Sequence, residues 1–178
     1  LLYLPPGTPG PTTEFSYTLT ADGHPATRQA SAKANRLPDP GRTGEVVAVV
    51  PARALSWQRV TLPQGATASA VRLRSVLEGL LEEQLLDEPA QLHFALEPDA
   101  QIGEPAWVAV CDRAWLRETL QLLESVGRSV GRIVPEFARG SSEAREVYAL
   151  GVPEEAQLVL TSSAADQAVN VLPLNAAT

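Results

Sequence analysis

Apolar and polar positions alternate over several short stretches of this chain, which predicts a strand-rich beginning. Residues 15–19, FSYTL, alternate up to Asp22-Gly23, a pattern typical of a hairpin with its turn at that pair. Residues 46–50 form an unbroken apolar run, typical of a buried strand, and residues 55–62 predict the strand that follows it. We expect these last two strands to form a second hairpin.

In the middle of the chain, the spacing of apolar residues changes from every second residue to the spacing of one helical face. A helix is predicted from Ala68 to about Leu86, and Glu88-Pro89 ends it because proline disfavours a helical residue before it. Its expected buried face follows the i, i+3, i+4, i+7 spacing and consists of Leu73, Val76, Leu77, Leu80, Leu81, Gln84 and Leu85. Residues 91–97, QLHFALE, then predict a strand with Leu92, Phe94 and Leu96 on one face.

A strand–helix–strand unit follows. The apolar run at 106–110 predicts a buried strand, Asp112 is a good N-cap for a helix from Arg113 to Val126, and residues 129–137 predict a further strand. A unit of this length predicts that its two strands are parallel. The fold class is therefore mixed α/β, a mixed sheet with flanking helices.

The end of the chain is again strand-rich. Three short strands are predicted after residue 145, and the polar GSSEA at 140–144 is the expected boundary. We therefore expect a first lobe at 1–139 and the strand-rich part of a second, partial lobe at 145–178.

Composition and charge exclude several classes of protein. The 178 residues carry a net charge of −7 with a pI near 4.8, which argues against binding nucleic acid, since that requires clustered Lys and Arg. No run of eighteen apolar residues occurs, so these residues predict no membrane span. Because the chain begins at Leu1 and contains no methionine, we interpret it as part of a longer protein, in which any membrane segment lies outside these residues.

The residues considered for catalysis or metal binding lack the motifs for either role. Cys111 is the single cysteine and is expected in the core, so an internal disulfide is impossible. His24 and His93 are the only histidines, without metal-ligand spacing, and a packed or hydrogen-bonded structural role is expected for His93. Neither glycine-rich phosphate motif occurs. The serine pairs Ser141-Ser142 and Ser162-Ser163 lie in predicted loops without the glycine flanks of a nucleophile. We predict no catalytic residue, no metal and no cofactor.

One run of acidic residues remains as a candidate partner-binding site. It consists of Glu78, Glu82, Glu83, Asp87 and Glu88. A charge run on a helix is usually its solvated face. However, Arg72 and Arg74 stand at the N-terminal end of this helix and the acids at its C-terminal end, opposite to the preference of the helix dipole. A surface that contacts a basic partner is therefore the hypothesis for these five residues.

The order of segments between residues 46 and 137 resembles the cytoplasmic domain of type II secretion system protein L. The residues that carry this resemblance are Val50-Pro51, Leu62-Pro63, Leu77-Glu78 through Gln84-Leu85, His93-Phe94-Ala95, Trp115-Leu116 and Val134-Pro135-Glu136. They cover about half of the chain.

The resemblance implies an actin-like, ribonuclease-H-like fold, followed in the family by one membrane helix and a small periplasmic domain. It implies a non-catalytic scaffold on the cytoplasmic side of the inner membrane. That scaffold docks the secretion ATPase, protein E, to a platform with proteins M, F and C, and a homodimer is a further assembly to consider.

A nucleotide-binding module is the alternative function, because the family is similar to the actin-like protein of type IV pilus assembly, which binds nucleotide. Such proteins hold phosphates between two hairpin turns with acidic and small residues. Here residues 5–10, PPGTPG, contain no acid, Asp22-Gly23 suits a hairpin turn better, and the segment around Asp166 contains no glycine. The expected nucleotide site is degenerate or absent.

A hydrolase or nuclease of ribonuclease-H-like fold is a third class. It requires acids at strand ends that converge on two metal ions. The predicted strands at 46–50 and 106–110 contain no acid, and Asp112 is better used as a helix cap. A binding scaffold is therefore favoured over both alternatives.

Overall fold

The computed structural model describes residues 1–20, 28–138, 145–151, 156–162 and 168–174. Two compact units make up the chain: Leu1–Ala54 with Ala114–Ala138, and Leu55–Arg113 with Arg139–Thr178. Residues 55–113 are thus grouped with the C-terminal strands, although they were predicted to belong to a first lobe at 1–139. The division into lobes at 1–139 and 145–178 stays a prediction.

The described residues form eleven strands and two α-helices. The strands are β1 (Leu2–Tyr3), β2 (Glu14–Leu19), β3 (Arg28–Lys33), β4 (Val47–Val50), β5 (Ser56–Thr61), β6 (Leu92–Leu96), β7 (Pro105–Asp112), β8 (Arg132–Pro135), β9 (Glu146–Leu150), β10 (Gln157–Thr161) and β11 (Val169–Pro173). The helices are α1 (Ala70–Leu81) and α2 (Arg113–Ser125).

A five-stranded mixed sheet with the order β3-β2-β1-β4-β8 organises the first unit. Strands β1, β2 and β3 pair antiparallel, whereas β4 is parallel to both β1 and β8. The predicted first hairpin is confirmed as β2 and β3, while its expected turn at Asp22-Gly23 lies outside the described residues. Helix α2 buries Leu116, Thr119 and Leu123 at the spacing of one helical face.

Two predicted strand pairings are wrong. β4 and β5 were expected to form a hairpin, but β4 belongs to the five-stranded sheet and β5 pairs with β7. β7 and β8 were expected to be parallel strands of one unit, but they belong to different sheets and β8 pairs with β4. The reason is that β7 is the central strand of another sheet, where β5 and β6 use the hydrogen-bonding groups on both of its sides.

That second sheet, with the order β5-β7-β6, is antiparallel and packs against α1. Its core consists of Val60, Leu62, Ala66, Leu77, Leu81, Leu92, Val108 and Val110. The Ser69 hydroxyl accepts a hydrogen bond of 3.2 Å from the backbone N–H of Arg72 and so caps the start of α1. Burial of Leu77 and Leu81 on one stripe then holds the helix on the sheet.

Helix α1 ends at Leu81, five residues before the predicted end near Leu86. The Leu81 carbonyl accepts hydrogen bonds from the N–H groups of both Gln84 and Leu85, which closes one last turn that the chain does not continue. Leu85 still packs against the core from that turn. Apolar residues at helical spacing therefore continue beyond the last residue of the helix.

The C-terminal strands form a third sheet, an antiparallel meander with the order β11-β10-β9. Val159 and Thr161 on the central strand are buried, whereas Val147 is exposed. The three strands predicted after residue 145 are confirmed, and the expected boundary at 140–144 lies outside the described residues.

Candidate partner-binding site

Four of the five predicted acidic residues lie together in the segment that links α1 to β6, residues 82–88, which we call the acidic turn. Glu82, Glu83, Asp87 and Glu88 are all exposed. The Leu86 side chain between them is fully exposed, whereas Leu85 packs inward. The acidic turn therefore presents one apolar side chain among four carboxylates.

Glu78, the fifth predicted residue, has a different environment. Its carboxylate lies 2.8 Å from the guanidinium of Arg74, one turn earlier on α1, and both side chains are only about a third exposed. An i, i+4 pair of this kind stabilises the helix that carries it. Glu78 therefore has an intramolecular partner, and the acidic turn is the part of the predicted site that stays open to solvent.

Arg74 also fastens the far end of the acidic turn. Both of its terminal nitrogens donate to the Leu92 carbonyl at 3.2 Å, and one of them donates to the Pro89 carbonyl at 3.4 Å. Its guanidinium lies 5.6 Å from the centroid of the Phe94 ring. Because the Leu81 carbonyl holds the near end, the acidic turn is anchored on both sides of its exposed residues.

Acidic residues are unevenly distributed along the chain. Residues 55–113 carry nine Asp and Glu side chains and four Arg. The unit formed by residues 1–54 and 114–138 carries seven Asp and Glu and eight Lys and Arg. The negative charge that would attract a basic partner is therefore concentrated outside the five-stranded sheet.

The histidine and the cysteine of the second sheet lie opposite each other on the neighbouring strands β6 and β7. His93 is exposed on β6 instead of packed, and partial desolvation, together with the charges of Arg74 and Arg113, lowers its pKa. Cys111 is buried as predicted, and burial together with the Asp112 charge raises the pKa of its thiol to about 11. A thiol with this pKa is a poor nucleophile at neutral pH.

The loop at residues 5–10, considered above for phosphate binding, connects β1 to β2. The Trp115 indole N–H donates to the Pro5 carbonyl at 3.2 Å, and the Gly10 N–H donates to the Thr13 hydroxyl at 2.8 Å. The Gly10 N–H is thus engaged within the chain. The other candidate phosphate-binding residues, Asp22-Gly23 and Asp166, lie outside the described residues.

No group of three or more His, Cys, Asp and Glu side chains in the described ranges is placed to hold a metal ion. No helix in this part of the chain is long and apolar enough to cross a membrane.

Sequence reasoning missed two features of the acidic turn. Leu86 was predicted to end a helix, and Arg74 was considered only for its charge. Leu86 lies between acidic residues in the sequence, and this position could have indicated that its side chain is exposed. The bonds from Arg74 to carbonyls fifteen and eighteen residues away had no signal in the sequence.

The sequence of this chain matches a known protein family. The type II secretion system (T2SS) protein L family matches residues 20–172. The cytoplasmic domain of EpsL, an inner membrane component of the type II secretion system of Vibrio cholerae, has a similar structure. The TM-score is 0.66 at 20% sequence identity, over 99% of this chain and 70% of that chain.

A second solved structure, described as a PilM-PilN type IV pilus biogenesis complex, aligns over 98% of this chain and 61% of the matched chain. Its TM-score is 0.49 at 16% identity. No curated protein sequence matches the chain. The EpsL match confirms the predicted mixed α/β fold class. Because the family match spans most of the sequence, the chain belongs to the type II secretion system protein L family.

Proposed function

We propose that this chain is a non-catalytic scaffold of the type II secretion inner-membrane platform and that it docks the secretion ATPase, protein E. The observation that carries the proposal is the acidic turn, in which Glu82, Glu83, Asp87 and Glu88 surround the exposed Leu86. Membership of the protein L family supports the place of this chain in the secretion machinery. The proposal extends to coupling of the ATPase to platform proteins M, F and C.

The chemistry of the acidic turn suits a basic protein surface. Exposed carboxylates accelerate encounter with a positively charged partner, and they contribute more to the association rate than to the final affinity. An exposed leucine supplies apolar area that becomes buried on binding. The Leu81 carbonyl holds the start of the turn, and Arg74 holds the Pro89 carbonyl just beyond its end. This anchoring reduces the ordering entropy that is lost when a partner binds.

A calorimetric titration with the N-terminal domain of the cognate secretion ATPase tests this function. We expect a dissociation constant in the micromolar range or below at low salt, and weaker binding at high salt because salt screens exposed charges. Binding that is unaffected by salt would keep the docking role and move the interface to apolar surface. Absence of binding by the folded protein would overturn the docking function and favour the nucleotide-binding alternative.

A further inference from the structure

Strand β3 forms one edge of the five-stranded sheet, since it pairs with β2 alone among the described strands. Natural sheet edges are commonly protected by prolines, bulges or charged side chains. β3 contains no proline, and its six residue pairs with β2 follow one another without a bulge. Its charged residues, Arg28 and Lys33, stand at its two ends. The middle of this edge is therefore open to another strand.

The backbone groups that β3 leaves unpaired can be identified from its neighbours. Thr18 on β2 exchanges hydrogen bonds of 2.9 and 2.7 Å with Leu1, so its N–H and carbonyl point away from β3. In an antiparallel ladder, the residue opposite such a position points its own backbone groups towards the other side. That residue is Gln29, and the alternation adds Ser31 and Lys33. All three are exposed, and none uses these groups in a hydrogen bond within the described ranges.

We infer that the β3 edge pairs antiparallel with the β3 edge of a second copy of this chain, around a two-fold axis at Ser31. In this register Gln29 lies opposite the partner's Lys33, and Ser31 lies opposite the partner's Ser31. Each outward-pointing residue then exchanges two hydrogen bonds with an outward-pointing residue of the other copy. The two five-stranded sheets thereby join into one. This inference is independent of the docking function proposed above.

A second copy fits this edge because the strand is complementary to itself in this register. Each Lys33 ammonium faces a Gln29 amide, so no like charges lie directly opposite each other. Ala30 lies opposite the partner's Ala32, and these half-buried side chains extend the face of the sheet on which Phe15 is buried. A register shifted by two residues leaves one outward-pointing residue of each copy without a counterpart. A two-fold contact also closes after two chains, which prevents open-ended assembly.

Sedimentation equilibrium tests the self-association. We expect the mass to rise from 19.0 kDa towards twice that value as the protein concentration increases. Ser31→Pro should weaken the dimer by about tenfold or more, because proline lacks the N–H that Ser31 directs outwards. The fold should stay intact, since proline is tolerated where the N–H of an edge strand faces solvent. Circular dichroism checks the fold of the variant.

Charge substitutions at Gln29 test the register. Gln29→Glu places a carboxylate opposite the partner's Lys33 and should tighten the dimer by about threefold. Gln29→Lys places two ammonium groups opposite each other and should weaken the dimer by a similar factor. Both effects should shrink at high salt. Equal dimer affinities for the two variants would overturn the inference.

Disulfide formation provides a test of the contact itself. Cys111 is the only cysteine, so Ser31→Cys in a Cys111→Ala background carries a single thiol. Residues that face each other in this way lie about 5.5 Å apart between Cα atoms, within the range of a disulfide. Mild oxidation of this variant should therefore produce a covalent dimer.

Ser16→Cys in the same background is the matched control. Ser16 is exposed on β2, one strand further from the edge, and both variants alter the same 3.0 Å hydrogen bond between Ser16 and Ser31. It should remain a single chain on oxidation. A mass of one chain at every concentration, or equal crosslinking of the two cysteine variants, would contradict pairing through β3.

Discussion

The Glu136 carboxylate accepts a hydrogen bond of 2.9 Å from the backbone N–H of Ala52, eighty-four residues earlier in the chain. Ala52 is fully buried in the turn that follows β4, and Glu136 directly follows β8. The Glu136 N–H also donates to the Val50 carbonyl at 2.8 Å, which extends the pairing of the two strands. Val134-Pro135-Glu136 is one of the motifs behind the family resemblance. Its physical role is to join the end of β8 to the end of β4.

Replacing Glu136 should destabilise the fold. Glu136→Ala removes the acceptor of a buried N–H, so we expect a loss of about 1–3 kcal/mol in the free energy of unfolding. Glu136→Gln keeps an acceptor oxygen and should cause a smaller loss. Urea denaturation of both variants measures the difference. Equal losses for alanine and glutamine would show that the hydrogen bond to Ala52 is not the cause.

Arg74 should matter more for stability than its partner Glu78. Arg74→Ala removes hydrogen bonds to the Leu92 and Pro89 carbonyls as well as the ion pair, and we expect it to lower the free energy of unfolding by about 1–2 kcal/mol. Glu78→Gln removes only a partly exposed i, i+4 pair, which is worth about 0.3–0.5 kcal/mol. Urea denaturation compares the two. A larger effect for Glu78→Gln would contradict the anchoring role of Arg74.

Charge reversal in the acidic turn should weaken partner binding without unfolding the protein. The double variant Glu82→Arg, Glu83→Arg changes two exposed side chains, so the Tm should stay within a few degrees. Its association rate with the ATPase N-terminal domain should fall about tenfold or more at low salt, and the difference should shrink at high salt. Stopped-flow kinetics at two salt concentrations provide the measurement.

Glu118→Arg, Glu124→Arg is the matched control for that experiment. Both residues are exposed on α2, outside residues 55–113, and the double variant changes the net charge by the same amount. If it slows association as much as the reversal in the acidic turn, total charge and not the acidic turn governs encounter.

Cys111 should be unreactive until the protein unfolds. Its thiol is buried and its pKa is about 11, so almost no thiolate is present or accessible at pH 8. Ellman's reagent should modify the native protein very slowly and the urea-unfolded protein rapidly. Fast modification of the native protein would contradict the burial of this strand.

The same pKa shift predicts how stability changes at alkaline pH. Cys111 keeps its proton in the folded state at pH values where the unfolded chain releases it. The free energy of unfolding should therefore fall between the ordinary pKa of a thiol and about pH 11, and Cys111→Ala should remove this component. Urea titrations of both proteins at pH 8 and pH 10 measure it.

The sequence predicted which residues form strands, but not which strands pair. Alternation and unbroken apolar runs depend on neighbouring residues, so β2, β7 and β10 were recognisable. The pairing of β5 with β7 joins segments more than forty residues apart, and no local pattern records it. A short connection such as the one after β4 suggested a hairpin that the sheets do not form.

Prediction of the candidate site has a similar limit. A run of five acids was visible as sequence, and four of them lie exposed in one turn. That Glu78 is paired with Arg74 depends on side-chain geometry, which the sequence does not record. The helical period also hid the early end of α1, since Leu85 contacts the core without being helical.

Residues 55–113 interrupt the sequence of the first unit, which resumes with α2. The strand order β3-β2-β1-β4-β8 is complete without them. Substitutions in this segment should therefore leave the hydrogen-bond ladder of the five-stranded sheet intact, and under the proposed docking function they would change which partner is recognised. Under the docking function proposed above, exchange of this segment between relatives should transfer ATPase preference from one secretion system to another.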